Sequence, residues 1–340
     1  MKRLGSVVFI LLACAICLSL FGEASAAADD KAGPFVFDLP AGITAPCEQA
    51  GTVTEEHYST WRYDLNGERS AAVEGTLYVY TPYGYDPEKQ YDILYLMHGR
   101  SENAAYWFGQ GVYAPGGGRY EQQHGSAAVN LLDRRIAAGE CPELIVVTPS
   151  FMQQFDSNDA LFTLGSAAWL ETFAYEFLND ILPFVEAKYA TYALGDPTEE
   201  NLIASRAHRA YAGLSMGSFT GFQAIWTHCL PYVGYIGNFS GCDTQNTGIA
   251  DRVAETIREA GEEYPVLYWY NGNGTVDSLH DEHLNAYRRI LEACPEQLRE
   301  GSDLSAGQNA IFVDKPGKGH NFANWMVDLY NITSVFFQAP

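Results

Sequence analysis

The sequence predicts an α/β fold, a mainly parallel central sheet flanked by helices, built as a single domain. Short and dense apolar runs recur along the chain, which is typical of strands that are buried on both faces of a sheet. Stretches with apolar residues at four-residue steps separate these runs and indicate helices. Strands that alternate with helices favour a parallel sheet. The 340 residues contain no internal repeat and no Pro/Ser-rich linker, so we expect one domain.

Eight strands are expected. The first lies at 55–63 and the second at 72–81, where Val73, Leu77 and Val79 alternate with other residues as in a half-buried strand. The turn at 82–87 ends this pair. The other six strands are the apolar runs at 91–97, 144–147, 209–212, 232–236, 266–270 and 310–313.

Helices are predicted between these strands. An apolar stripe of Trp169, Phe173, Phe177 and Ile181 indicates the first, and similar patterns lie at 279–291 and 322–336. Residues 218–228 also resemble a helix. Residues 104–128 contain six glycines and predict a long loop near a strand end. Loops of that length in compact domains are often functional.

The composition excludes several classes of function. The chain is 47% hydrophobic and 14% aromatic, which excludes disorder for most of its length. Its formal net charge is −22. A surface that acidic repels phosphate backbones and anionic lipids, so we expect neither a nucleic-acid partner nor a membrane partner.

The first 28 residues predict a secretory signal peptide. Lys2 and Arg3 precede an apolar run at 7–21, and the small residues at 24–26 suit a signal peptidase. A membrane anchor, or a lipoprotein modified at Cys14 or Cys17, is the alternative. The signal peptide predicts a secreted protein, extracellular or periplasmic, whose mature domain spans 29–340.

Five cysteines remain after this segment, and an odd number leaves at least one unpaired within the chain. We interpret them as core residues or disulfides, because their spacing matches no zinc site. They are Cys47, Cys141, Cys229, Cys242 and Cys294.

The candidate chemistry centres on Ser215 in the G-x-S-x-G segment from Gly213 to Gly217. This segment follows a predicted strand and precedes a predicted helix. A turn that tight requires small neighbours two residues on either side, and it exposes the serine hydroxyl at the carboxyl end of the sheet. We therefore predict that Ser215 is a nucleophile.

A serine hydroxyl needs a base, and in this arrangement the chain order is serine, acid, histidine. His320 lies after the last predicted strand and before the last helix, where the base is expected. Asp277 lies in the segment after the predicted strand 266–270, where it can orient the imidazole. Asp281 and Glu282 are neighbouring competitors, and Asp243 is an alternative position.

An oxyanion hole needs two N–H donors. We predict one at Met216, the residue after the nucleophile, and the other at Arg100, in the loop after the strand 91–97. Gly99 lets the backbone pass close to the site. His98 precedes Ser215 in the chain, and we interpret it as a support for this loop rather than a base.

Over roughly residues 70–335 the sequence resembles the feruloyl and acetylxylan esterases of the first carbohydrate esterase family, which have the α/β-hydrolase fold. The resemblance rests on an ordered series of segments, namely 80–85 (YTPYGY), 94–99 (LYLMHG), 101–103 (SEN), 146–149 (VVTP), 209–217 (RAYAGLSMG), 275–278 (TVDS) and 319–325 (GHNFANW). The chain departs from the family at Ser218, where glycine is common, at Asn321, where aspartate is common, and at Arg100, where the usual residue is apolar. The loop 104–128 is also expanded.

The resemblance implies a serine carboxylesterase that uses Ser215, His320 and Asp277, with no metal and no cofactor. The implied substrate is a plant cell-wall polysaccharide ester, feruloylated arabinoxylan in first place. An acetylxylan esterase, another short-acyl esterase or an acyltransferase remains open, and so does a non-catalytic carbohydrate-binding relative. Four aromatic side chains are candidates for the walls of a substrate pocket, namely Trp107, Phe108, Trp169 and Trp325. The oligomeric state stays open.

Overall fold

The computed structural model describes residues 34–109, 127–154, 168–242 and 248–338. The chain divides into two units, Met1–Lys31 and Ala32–Pro340, and the described residues all belong to the second. The predicted signal peptide, Asp243 and residues 110–126 of the Gly-rich loop lie outside the described residues. Within them, no helix has the length and apolarity needed to cross a bilayer.

Eight strands form one sheet in the order β1-β2-β4-β3-β5-β6-β7-β8. All neighbours from β4 to β8 pair in parallel, whereas β2 is antiparallel to both β1 and β4. The strands are β1 (Thr52–Tyr63), β2 (Arg69–Thr81), β3 (Asp92–Met97), β4 (Leu144–Thr148), β5 (Arg209–Leu214), β6 (Tyr235–Phe239), β7 (Tyr268–Gly274) and β8 (Ala310–Lys315).

The described residues contain seven helical segments, six between strands and one after the last strand. Two of them combine α-helical turns with tighter or wider ones. They are α1 (Ala127–Ala137), α2 (168–188), α3 (Glu199–Ala204), α4 (216–228), α5 (Ile249–Ala260), α6 (His280–Ala293) and α7 (Phe322–Ile332). Single 3₁₀ turns lie at Phe151–Gln154, Arg206–His208 and Leu304–Ala306.

The sheet is buried on both faces, as the dense apolar runs predict. Tyr95 and Met97 of β3 point into one core with α2, α4, α5 and α6, whereas Leu94 and Leu96 point into a second core with α1 and α7. The α/β fold with a mainly parallel sheet is therefore confirmed. The strand order reverses next to β3, because the chain goes to β4 on one side and returns to β5 on the other. In open α/β sheets the site lies at the carboxyl ends of the strands at such a point.

Several strand boundaries differ from the sequence prediction, and those of β6 and β7 have clear structural causes. Tyr232 and Val233 both donate backbone hydrogen bonds to the carbonyl of Cys229, so they form a turn after α4 instead of beginning β6. β7 continues to Gly274, because residues 269–274 pair with β8 in register. The segment 271–274, which follows the predicted strand 266–270, is therefore part of the strand.

All five cysteines in the described residues are free, and four of them are buried. This agrees with the interpretation as core residues and not with disulfides.

A buried ion pair joins β8 to α7. The Lys315 ammonium donates to Asp328, and both side chains are fully buried. Tyr270 of β7 also donates to Asp328, at 2.8 Å. Lys315 ends β8 and Asp328 lies inside α7, so this pair fixes both ends of the loop at 316–321.

Because one partner of a buried pair leaves an uncompensated charge when the other is removed, Lys315→Met should lower the free energy of unfolding by about 3–5 kcal/mol. Equilibrium unfolding in urea measures this change. Lys89→Met is the matched control, since its pair with Glu143 is exposed at 3.5 Å and should contribute about 1 kcal/mol or less. The double variant Lys315→Met/Asp328→Leu should recover part of the loss. Equal losses in Lys315→Met and Lys89→Met would contradict the assignment of a stabilising buried pair.

Candidate active site

Ser215 lies in the tight turn between β5 and α4. Its backbone angles are φ 50° and ψ −116°, a left-handed conformation that residues other than glycine rarely adopt. The Ser215 N–H donates to the carbonyl of Phe239 at 2.8 Å, and its carbonyl accepts from Phe219 at 3.1 Å. The turn is thus held to β6 on one side and to α4 on the other, and these bonds offset its backbone strain.

The glycines on either side of Ser215 are required by space. A Cβ at Gly213 would lie 2.5 Å from the carbonyl carbon of Gly217, and a Cβ at Gly217 would lie 2.5 Å from the carbonyl oxygen of His98. Both distances are shorter than real side-chain contacts. The turn therefore packs backbone against backbone, and it brings the nucleophile to the carboxyl end of β3.

His320 reaches Ser215 from the loop between β8 and α7. Its Nε2 lies 3.0 Å from Ser215 Oγ. The ring of Trp325 meets the imidazole edge to face, with 4.9 Å between the ring centroids, and this contact orients the imidazole. The His320 side chain is 32% exposed, so the pair is open to a substrate.

Asp277 completes the set of three side chains. Its two carboxylate oxygens lie 2.9 and 3.1 Å from His320 Nδ1. A carboxylate only accepts, so Nδ1 carries the proton and Nε2 is left to accept the Ser215 proton. Burial alone raises the pKa of Asp277, but hydrogen bonds from His320 and from the Leu279 N–H outweigh burial and hold that pKa below its usual value. The carboxyl is therefore ionised at neutral pH.

The loops that carry the acid and the base are joined directly. Thr275 N–H donates to the carbonyl of Lys315 at 3.0 Å, and Val276 N–H donates to that of Lys318 at 3.1 Å. A Cβ at Gly274 would lie 2.0 Å from the Lys318 carbonyl oxygen. Asp277 and His320 are thus positioned by one continuous extension of the β7–β8 ladder.

His98 supports the loop after β3. Its Nδ1 lies 2.8 Å from the carbonyl of Gly99, and its Nε2 lies 2.7 Å from Ser150 Oγ. Both ring nitrogens are engaged, and burial lowers the pKa of His98 to about 4. A neutral, fully buried imidazole of this kind is not available as a base for Ser215.

The same loop lies against the nucleophile. A Cβ at Gly99 would come 3.3 Å from the Cβ of Ser215. The Gly99 N–H donates to Glu102 Oε2 at 2.6 Å, so Arg100 presents the next N–H of the loop. Met216 is the first residue of α4, where an N–H has no acceptor within the helix. The structure thus brings both segments that carry the predicted oxyanion donors to Ser215.

The four candidate pocket aromatics separate into two groups. Trp107 and Phe108 are 0% and 1% exposed and belong to the core beside α1 and α7, which favours a packing role over a place in a pocket wall. The Trp107 indole instead donates to the carbonyl of Met97 at 3.2 Å. Trp169 is also buried and packs on Phe151. Of the four, Trp325 is the one with a described contact to His320, Ser215 or Asp277.

Two of the residues that depart from the family pattern, Ser218 and Asn321, have structural partners. Ser218 Oγ donates to the carbonyl of Gly241 at 2.5 Å, and Asn238 donates to the same hydroxyl. Asn321 accepts from Asn324 N–H at 3.1 Å and caps α7. Both substitutions therefore hold the loops around the site.

Sequence reasoning missed Ser150, Glu102 and Lys315. Ser150 and Lys315 have partners far away along the chain, which no local pattern reveals. Glu102 gave a signal as part of the segment 101–103, but its role was not predicted. In the described residues, no three His, Cys, Asp or Glu side chains form a group that could hold a metal ion.

The chain is similar to known esterases over most of its length. It is 33% identical over 301 residues to endo-1,4-beta-xylanase Y from Acetivibrio thermocellus, which covers 88% of this chain and 24% of the relative. It is 30% identical to the solved feruloyl esterase module from Clostridium thermocellum complexed with sinapinate, with a TM-score of 0.71, over 91% of this chain and 95% of that one. This chain belongs to the feruloyl esterase family.

The chain is also similar to more distant proteins. A CE1 ferulic acid esterase from Anaeromyces mucronatus shares the fold at 17% identity and a TM-score of 0.61, over 89% of this chain and 97% of that one. An endo-1,4-beta-xylanase/feruloyl esterase from Xylanibacter ruminicola is 26% identical over 268 residues, which cover 77% of this chain and 29% of the relative. This feruloyl esterase family member thus spans about a quarter of the length of the curated relatives that it matches. No family model matches the chain.

Because Gly217 has no room for a methyl group, Gly217→Ala should displace the Ser215 turn and lower kcat on p-nitrophenyl acetate by more than about 100-fold, the loss expected from a misplaced reacting group. Steady-state kinetics measures this loss, and circular dichroism checks the fold. Gly139→Ala is the control, because Gly139 has open space around it and differs from an ordinary position only in its positive φ. A Gly217→Ala enzyme with wild-type kcat would contradict the close approach.

Proposed function

We propose that this chain is a secreted serine carboxylesterase that releases hydroxycinnamic acids, ferulate above all, from plant cell-wall arabinoxylan. The observation that carries the proposal is the continuous hydrogen-bonded chain from Ser215 Oγ through His320 to Asp277. A fold alone does not assign a reaction, whereas a site of this geometry does. Membership in the feruloyl esterase family supports the aromatic acyl group.

Acylation begins when Ser215 Oγ attacks the ester carbonyl carbon. His320 Nε2 takes the serine proton, and the ionised Asp277 stabilises the imidazolium that forms. The carbonyl oxygen becomes an oxyanion, which accepts hydrogen bonds from the N–H groups of Met216 and Arg100. Loss of one such donor typically costs about 3 kcal/mol of transition-state stabilisation.

The tetrahedral intermediate then collapses. The ester bond breaks, and His320 gives its proton to the leaving sugar oxygen, which departs as a hydroxyl group. The acyl group stays on Ser215 as an ester. A water molecule next attacks this acyl-enzyme with His320 as the base, and the acid leaves as Ser215 regains its proton.

The proposal includes the export of the protein. The N-terminal pattern supports a signal peptide at 1–28 and an esterase domain at 29–340. The polysaccharide substrate lies outside the cell, which agrees with export. The acidic net charge of −22 supports the absence of nucleic acid among the partners.

Ser215→Ala should abolish hydrolysis of methyl ferulate, because the substitution removes the atom that is acylated. Initial rates on methyl ferulate, acetylated xylan and p-nitrophenyl acetate measure this loss and rank the acyl groups. Ser305→Ala, in an exposed turn, is the control and should keep wild-type rates. Activity that survives Ser215→Ala would reject the mechanism, and hydrolysis of acetyl esters alone would reject the aromatic acyl group.

Asp277→Asn should lower kcat by about 10⁴-fold, because an amide no longer holds the imidazole in the tautomer that accepts the serine proton. The kcat for methyl ferulate measures the loss. Asp281→Asn is a matched control four residues along the chain, since its side chain is 90% exposed, and it should leave kcat within about twofold. Similar kcat values for the two variants would remove Asp277 from the mechanism.

A further inference from the structure

We propose that Glu102 is a positioning residue for the oxyanion hole. Its carboxyl group accepts the hydrogen bond from the Gly99 N–H, so the Arg100 N–H is left as the oxyanion donor of this loop. The inference rests on the esterase mechanism proposed above. Glu102 itself is assigned no contact with the substrate.

The first observation is the hydrogen bond itself. Gly99 N–H donates to Glu102 Oε2 at 2.6 Å, from a side chain three residues further along. A glutamate that reaches back three residues to a backbone N–H closes a turn in the same way as in the capping box of a helix.

The second observation is that this turn needs such a bond. Ser101 has φ 63°, a left-handed conformation that is costly for a residue with a side chain. The turn is also pressed against the site, since a Cβ at Gly99 would lie 2.7 Å from Leu214 Cδ1 and 3.3 Å from Ser215 Cβ. Local sequence preference does not stabilise this shape, so a specific side-chain bond has to.

The third observation concerns what surrounds the Glu102 carboxyl. The Tyr106 hydroxyl forms a hydrogen bond with it, and His320 lies within electrostatic reach. The Tyr106 ring in turn packs edge to face on Phe322, the first residue of α7, at 5.4 Å between centroids. The loop after β3 is thus linked, through Glu102 and Tyr106, to the segment that carries His320.

The charge of the carboxyl fits a positioning role. An ionised carboxylate this close to the site would oppose a developing oxyanion. Burial raises the pKa of Glu102 to about 7, so in mildly acidic solution the group is largely neutral. A neutral carboxyl still accepts the Gly99 N–H through an oxygen atom.

Two variants separate the bond from the charge. Glu102→Ala removes the acceptor, whereas Glu102→Gln keeps an oxygen atom in reach of the Gly99 N–H. Since loss of an oxyanion donor costs about 10²–10³ in kcat, Glu102→Ala should lower kcat on p-nitrophenyl acetate at least about tenfold, with KM within about threefold. Glu102→Gln should keep at least about a third of the wild-type kcat.

Amide hydrogen exchange gives a readout that does not depend on activity. Peptides that cover 97–104 should exchange faster in Glu102→Ala than in Glu102→Gln or wild type. Glu88→Ala, at an exposed position before β3, is the control for both measurements. Melting temperatures within a few degrees of wild type show that each variant is folded.

The proposal is overturned if Glu102→Ala keeps wild-type kcat, or if Glu102→Gln loses as much as Glu102→Ala. Unchanged exchange at 97–104 in Glu102→Ala also overturns it. A wrong assignment of the substrate would give a different result. The wild-type enzyme would then not hydrolyse methyl ferulate, but its Ser215-dependent hydrolysis of p-nitrophenyl acetate would still be lowered by Glu102→Ala.

Discussion

One close approach organises this molecule: the turn after β5 lies against the carboxyl end of β3 with no space for a methyl group between them. Gly217 meets the carbonyl of His98, and Gly213 meets Gly217. This contact exists because β3 and β5 are neighbours in the sheet although β4 lies between them in the chain. The nucleophile and the oxyanion loop therefore share one position at the centre of the sheet.

The acid and the base reach that position from the edge formed by β7 and β8. Their loops continue the ladder between these strands, so the distance from His320 to Asp277 is set by backbone hydrogen bonds rather than by flexible side chains. The active site is thus assembled from two rigid halves. One contains the elbow and the β3 loop, and the other contains the acid and base loops.

Much of this arrangement was predictable from the sequence. Short apolar runs and tight glycine spacing depend on neighbours in the chain, so the parallel sheet, the turn at Ser215 and the loop positions of Asp277 and His320 follow from local patterns. The boundaries of β6 and β7 did not follow, because Tyr232 is apolar enough for a strand and Asn271 polar enough for a loop. Pairing with β8 and the turn after α4 decided these cases.

Other features were beyond the reach of the sequence because they depend on distant partners. Burial of Trp107 and Phe108 results from packing against α1 and α7. The sequence of one segment alone does not distinguish an aromatic residue of the core from one that lines a pocket. The same holds for Ser150 beneath His98 and for Lys315 beside Asp328. Glu102 is a borderline case, since its bond to Gly99 is local but the left-handed turn that requires it is visible only in three dimensions.

The ion pair between Lys315 and Asp328 has a consequence for how the enzyme loses activity under heat or denaturant. The imidazole is carried on a segment tied to the C-terminal helix, whereas the serine is carried on the middle of the sheet. Fraying of that helix would detach the proton acceptor first and leave the hydroxyl in its strained turn. Activity would then be lost together with that helix, while the central sheet remained folded.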